Sequence, residues 1–407
     1  MNKTLRTFPI FIVIILFIIA FSSSYASLNL DNLAYALAIG IDTSDQNNLE
    51  VTFQFSTLSS SSENGKGGKS EPILNSVHAS SINNAINLMN NYMGKKINLS
   101  HCKVIIFSEE IAKRGISNEI YTLCNNSQIR PSANILVSKC DAKYYLQQTK
   151  PELENSMSNY YDILTNSSKY TGYVPNSTIG SFFYSMLCKD CEAYAILGNV
   201  NENNNQNTNS LNSQKDYLMN SNESSISGKN SAESIGVAVF KGDKFVGELN
   251  ALETICFLVL NDDINRFLIS VPDPNNNKNY LDIYLGTYNM PKIKVDTSTS
   301  SAYIKIDINL TGRIYSMSKN SDYVDDTTLD KISSSCDSYL ESAFSNFLYK
   351  TAKELHSDIN GFGKKALSNF KTTEEVNNYG WLNNYKNAFF DINVKTSIKS
   401  GMLITET

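Results

Sequence analysis

Apolar and polar residues change rhythm several times along this chain, and each rhythm predicts a different element. Leu33, Tyr35, Leu37, Ile39 and Ile41 alternate with small residues, and Leu49, Val51, Phe53 and Phe55 alternate with Glu50, Thr52 and Gln54. A period of two marks strands, the second with one wet face. Residues 42–48 between them are turn chemistry, so the two are expected to pair as a hairpin. Ile82, Ala85, Ile86, Met89 and Met93 then recur at helical spacing behind Ser80 and Ser81, which suit a helix start. The apolar run at 102–107 predicts a buried strand. It leads to Ser108 and an acidic first turn at Glu109 and Glu110, a helix that stops at Gly115, where a left-handed residue is expected. A short strand at 135–137 and a helix at 142–148 follow. This half therefore mixes hairpin and strand–helix units, an α+β arrangement.

Beyond residue 231 the pattern resumes. Segments 236–240 and 244–248 flank Lys241-Gly242-Asp243, a tight-turn signature, and form a second hairpin. Asn250 with Glu253 three residues on is a capping-box arrangement. Ile304, Ile306, Ile308 and Leu310 lie opposite Lys305, Asp307, Asn309 and Thr311, a strand with one buried face. Leu329, Ile332, Cys336, Leu340, Ala343, Phe347 and Leu355 predict one long amphipathic helix packed on the sheet. Asp325 and Asp326 lead into it, where carboxylates suit the positive end of the dipole. Ile392, Val394, Thr396 and Ile398 give a closing strand. The expected fold class is α+β and multi-domain, with mixed and antiparallel sheets and packed helices.

The first 26 residues stand apart. Lys3 and Arg6 precede an apolar run at 8–21, and small residues Ser24 and Ala26 follow. That is the layout of a secretory signal, and the run is shorter than the roughly 20 residues of a spanning helix. Cleavage after Ala26 is the simplest expectation, with an uncleaved anchor as the alternative; either places 27–407 outside the cytoplasm. Residues 199–231, dominated by Asn, Ser and Gln, cannot bury enough surface to offset ordering entropy and read as a linker. They separate an N-terminal domain, 27–198, from a C-terminal domain, 232–407.

Composition changes this picture little: 41% apolar and 18% charged residues describe an ordinary globular chain. The net charge of −5, with no basic stripe, argues against a nucleic-acid partner. Seven cysteines are too few for a disulfide framework, and Cys188-Lys189-Asp190-Cys191 lacks the second pair or histidines of a zinc site. These two are expected to be free or locally paired structural thiols. No phosphate loop, His-Glu-x-x-His or nucleophile elbow occurs. Of three histidines, His78 and His356 have no ligand-spaced acidic or cysteine neighbours, and His101 is expected to tie down a strand start. No catalytic, cofactor or metal residues are therefore assigned.

Several stretches resemble the Ger(x)C family, the C subunits of GerA-type spore germinant receptors. The resemblance begins at Ala34-Tyr35-Ala36-Leu37-Ala38-Ile39-Gly40-Ile41-Asp42. It is strongest from Ser100-His101-Cys102-Lys103-Val104-Ile105-Ile106-Phe107-Ser108 through Gly115-Ile116. Past the linker it continues at Gly236-Val237-Ala238-Val239-Phe240 and at Asp358-Ile359-Asn360-Gly361-Phe362-Gly363. Ser100, His101, Phe107, Ser108, Gly115, Gly236, Phe240, Asp358, Gly361, Phe362 and Gly363 are thus the signature positions, structural or interacting. The resemblance implies a non-catalytic subunit on the outer face of the inner spore membrane. It would act with membrane A and B subunits in a complex that binds a small-molecule germinant. The family's usual lipid-bearing Cys has no counterpart before Cys102, so export without lipidation is expected. A secreted solute-binding protein would need a cleft between two similar lobes, and the two halves differ in pattern. An exported hydrolase would need a clustered acid–base or metal site.

Overall fold

The computed structural model describes residues 32–45, 48–56, 72–154, 156–201, 226, 228–274, 276–316 and 326–399. The expected export segment, Asp325 and most of the Asn-rich segment lie outside the described residues.

Strands β1 (Leu33–Thr43), β2 (Leu49–Phe55) and β3 (Ile73–Ala79) pair antiparallel in sequence order. Helix α1 (Ile82–Met93) follows, its first turn capped by Ser81 Oγ accepting from Asn84 N at 3.2 Å. Then β4 (Lys96–Asn98) and β5 (Val104–Ser108) both run parallel to β1. Helices α2 (Glu109–Arg114) and α3 (Ser117–Cys124) return the chain to β6 (Asn134–Ser138), parallel to β5. Helices α4 (Ala142–Gln148), α5 (Met157–Asn166) and α6 (Ile179–Leu187) lead to β7 (Tyr194–Val200), parallel to β6. Strands β8 (Ala232–Lys241) and β9 (Lys244–Leu249) close this nine-stranded sheet by antiparallel pairing.

Both faces of the sheet are covered. Ile82 of α1, Ile111 of α2, Ile120 of α3 and Phe182 of α6 pack on one face, while Tyr145 of α4 and Tyr161 of α5 pack on the other. The predicted wet face of β2 is therefore not wet: Thr52 and Gln54 are fully buried. Tyr161 lies over them and donates to Gln54 Oε1 at 2.8 Å, and Thr52 pairs with Ser76 on β3 at 2.8 Å. Alternation alone does not tell a solvated polar face from one covered by a distant helix with hydrogen-bonding side chains.

Helix α7 (Ala251–Leu260) opens with the predicted capping box between Asn250 and Glu253. It is buried along nearly its whole length, because β8 lies to one side and a second sheet to the other. That sheet contains β10 (Arg266–Asp273), β11 (Asn276–Thr287), β12 (Lys292–Asp296), β13 (Tyr303–Ser316) and β14 (Phe389–Lys399). Its order is β10-β11-β13-β12, with β14 parallel to β13. The long helix α8 (Asp326–Tyr349) ends in a wider π turn at Lys350–Glu354. It buries Ile332, Cys336, Leu340, Phe344 and Phe347 against the sheet. Its polar flank also serves the sheet: Asp337 accepts from Thr396 N at 2.7 Å and Glu341 from Val394 N at 3.0 Å. Two amides on β14 that no neighbouring strand pairs are thereby satisfied. Short helices α9 (Phe362–Ala366), α10 (Thr373–Tyr379) and α11 (Trp381–Asn384) connect α8 to β14.

The architecture is α+β as expected. The strands just past the Asn-rich segment, however, continue the first sheet, and Val237, Val239 and Leu249 belong to the same apolar cluster as the second sheet. The segment is thus the connection of a hairpin: Val200 pairs with Ala232, and Asn201 N donates to Ser231 O at 2.8 Å. Deleting 203–227 should leave thermal unfolding nearly unchanged, since the ends are already adjacent and loop closure varies by only ~0.6 kcal/mol per doubling of length. Failure of the shortened chain to fold would show that the segment supplies packing.

Candidate functional site

The signature residues separate into two places. Gly115, Phe240, Asp358, Gly361, Phe362 and Gly363 converge where the first sheet meets the helices after α8. Ser100 and His101 lie apart, in the turn before β5.

The convergence is centred on Asp358, which is fully buried. Its carboxylate accepts from Phe362 N at 3.1 Å, Gly363 N at 2.8 Å and the indole Nε1 of Trp381 at 2.7 Å. The loop after α8 is thus folded around one acidic side chain, which also satisfies the exposed amides that begin α9. Phe362 is turned into the core against Tyr385, ring centroids 6.3 Å apart. Gly361 has φ 66°, a left-handed conformation that suits glycine. Gly363 is glycine for a different reason. Its φ is not positive; it needs glycine for space, because a Cβ would meet Asp190 O and, at 2.5 Å, Trp381 Cδ1.

The first sheet joins this loop through the Cys188–Cys191 segment and the β8–β9 hairpin. Glu192 N donates to Asp358 O at 3.0 Å, and Gly242 N donates to Glu192 Oε2 at 2.6 Å. Ser357 Oγ donates to Phe240 O at 2.5 Å, and Phe240 packs edge-on against Phe182 at 4.8 Å. At the hairpin tip Asp243 O accepts from Ile116 N at 3.1 Å. Gly115 has φ 114°, a backbone conformation that L side chains rarely adopt though not a left-handed helix end, and a Cβ there would also meet Asp243 Oδ2 at 2.7 Å. At Gly236, φ is 106° and a Cβ would run into Leu249 O. Cys188 and Cys191 are free thiols, and burial beside Cys188 pushes Cys191 up to about 12.

Electrostatically this seam is unusual, because two carboxyls sit in it with little compensating charge. Burial raises Asp358 to about 6 against the opposing pull of its three donors, and raises Glu192 to about 7 against Gly242 N and Lys241. A third buried carboxyl, Asp42 at the end of β1, is raised to about 6 while accepting from Ala142 N and Lys143 N at the start of α4. All three hold protons more tightly folded than unfolded. Their contribution to stability is therefore fully present below about pH 4 and is lost as pH rises through 6–7. Each is worth up to on the order of 3 kcal/mol. Thermal unfolding should occur several degrees lower at pH 8 than at pH 5.5; a flat or rising profile would mean that these carboxyls stay charged at little cost.

The remaining signature residues are quieter. Phe107 is fully buried in the middle of the first sheet, and Ser108 Oγ is buried without a hydrogen-bond partner among the described residues. Ser100 N and Oγ donate to Asn98 Oδ1, tightening the turn, and His101 stands exposed with its ring edge-on to Tyr35 at 5.1 Å. The turn lines a polar cavity of ≈ 260 Å³ together with Lys103, Arg130, Asn134 and Asp162. Sequence reading did not single out Glu192, Arg130 or Trp381, and took Asp243 only as part of a tight turn. Only Trp381, the sole tryptophan, offered a signal.

Two family models match the chain in tandem. One, described as the spore germination protein N-terminal domain, covers residues 27–197; the other, described as spore germination B3/GerAC like, C-terminal, covers 235–401. A solved structure, the crystal structure of the GerBC protein, shares the fold at a TM-score of 0.51. It is 15% identical, over 88% of this chain and 96% of that one. No curated protein matches the chain.

Proposed function

The chain belongs to the GerAC-type family of spore germination proteins, and on that premise we propose that it is the non-catalytic C subunit of a spore germinant receptor. In this reading it acts with membrane A and B subunits in nutrient-triggered germination, at the outer face of the inner spore membrane. Residues 1–26 carry it there as a signal or anchor. The observation that carries the proposal is the ordered pair of family domains across nearly the whole stretch from 27 to 401. The chemistry of the buried carboxyls agrees with it. Asp42, Glu192 and Asp358, the carboxyls most raised by burial, are all occupied by backbone amides, which suits a rigid scaffold. The test is purification of the affinity-tagged full chain from detergent-solubilised spore membranes. Recovery of an A and a multi-spanning B subunit in stable proportion is expected; recovery of the chain alone would count against a receptor role.

A further inference from the structure

The cavity beside Ser100 lies at a telling place. It sits at the N-terminal ends of β5 and β6, the same end of the sheet at which β1 begins: Lys103 N donates to Leu37 O, and Asn134 N donates to Lys103 O, both at 2.8 Å. Leu33, the first residue of β1, is in register with Lys96 of β4. Between Leu33 and the apolar run at 8–21 lie only residues 22–32, a stretch that spans at most about 40 Å when extended. On the reading of residues 1–26 as an uncleaved anchor, the membrane is thus within reach of this end of the molecule. The surface there suits a headgroup layer: Tyr92 is 76% exposed at the end of α1, and Lys95 and Lys96 beside it are exposed.

Inside the cavity two cations face one carboxylate. Lys103 pairs with Asp162 at 2.8 Å, which leaves the Arg130 guanidinium without an ion-pair partner among the described residues. A planar guanidinium is suited to two oxygens of one phosphate. Deeper in, Asn134 is 8% exposed and its Oδ1 has no hydrogen-bond partner among the described residues, an acceptor that calls for a hydroxyl or amine donor. An anionic group for Arg130 and a donor for Asn134, in a space of ≈ 260 Å³, describe a small phosphate ester with hydroxyls.

We infer that this cavity binds the glycerol-phosphate portion of an anionic phospholipid headgroup, fixing the first sheet against the membrane as a second attachment besides the N-terminus. The inference rests on the membrane placement proposed above.

The test is calorimetric titration of the full chain, held in maltoside micelles, with sn-glycerol 1-phosphate, inorganic phosphate and alanine. Glycerol phosphate should bind at least tenfold more tightly than either of the others. Arg130→Gln should weaken it at least tenfold without moving the Tm, because Arg130 is exposed. Equal binding of inorganic phosphate would overturn the headgroup assignment in favour of free phosphate. Tighter binding of alanine would overturn it in favour of an amino acid, and no binding would remove the site altogether. Co-purification with A and B subunits does not depend on any of these results, so the receptor reading stands or falls separately.

Discussion

Replacing Asp358 by alanine is expected to destabilise the protein by about 3–5 kcal/mol, the largest effect of any single change at the seam. Three donors converge on that carboxylate from within the core, the amides of Phe362 and Gly363 and the indole of Trp381. Alanine leaves all three buried and unpaired, at about 1–3 kcal/mol each. Removing a poorly compensated carboxyl recovers part of this, because burial already holds Asp358 near 6. On a chain of this size the net loss corresponds to a fall in Tm of about 4–6 °C. Asp358→Asn, which keeps one acceptor oxygen, should lose less. Scanning calorimetry of the two variants checks both the size and the order, and an alanine variant as stable as the parent would show that the loop is held by apolar packing alone.

Gly363→Ala comes next, at about 3 kcal/mol, the upper end of what overpacking costs. The new methyl would meet Asp190 O and Trp381 Cδ1, one on each side of the junction, so neither half yields without the other. Gly361→Ala should cost only about 1–2 kcal/mol, since it pays for a left-handed φ of 66° with no neighbour nearer than 3.6 Å. The comparison separates the two reasons for glycine. Equal losses at the two positions, measured by denaturant unfolding, would mean that backbone conformation governs both.

Much of the scaffold was legible because it is local. The Ser81 cap, the capping box at Asn250 and Glu253, the strand alternation at Ile304 and the stripe of the long helix are each written within about one window of sequence. What escaped depends on contacts between distant segments. Gln54 looked solvated because nothing near it in sequence announces Tyr161, which covers it. Glu192 follows a cysteine pair that drew attention for its thiols, whereas its own carboxyl ties the β8–β9 turn to the seam. The need for glycine at 363 comes in part from the backbone of Asp190, far away in sequence. The Asn-rich segment marked a real change of composition, yet strand pairing ignores it, because Val200 and Ala232 meet across it. Of the signature residues found by resemblance, Phe240, Phe362 and Gly363 meet at Asp358 and its neighbour Ser357, a grouping across distant segments that no local window of sequence shows.

The central claim, that this chain is a working part of a nutrient receptor, is tested most directly by germination itself. Spores lacking the chain should lose the response to at least one nutrient that the parent spores answer, followed by loss of refractility and dipicolinate release, and should regain it when the wild-type chain is supplied. Spores that answer every nutrient as fast without the chain as with it would contradict the account.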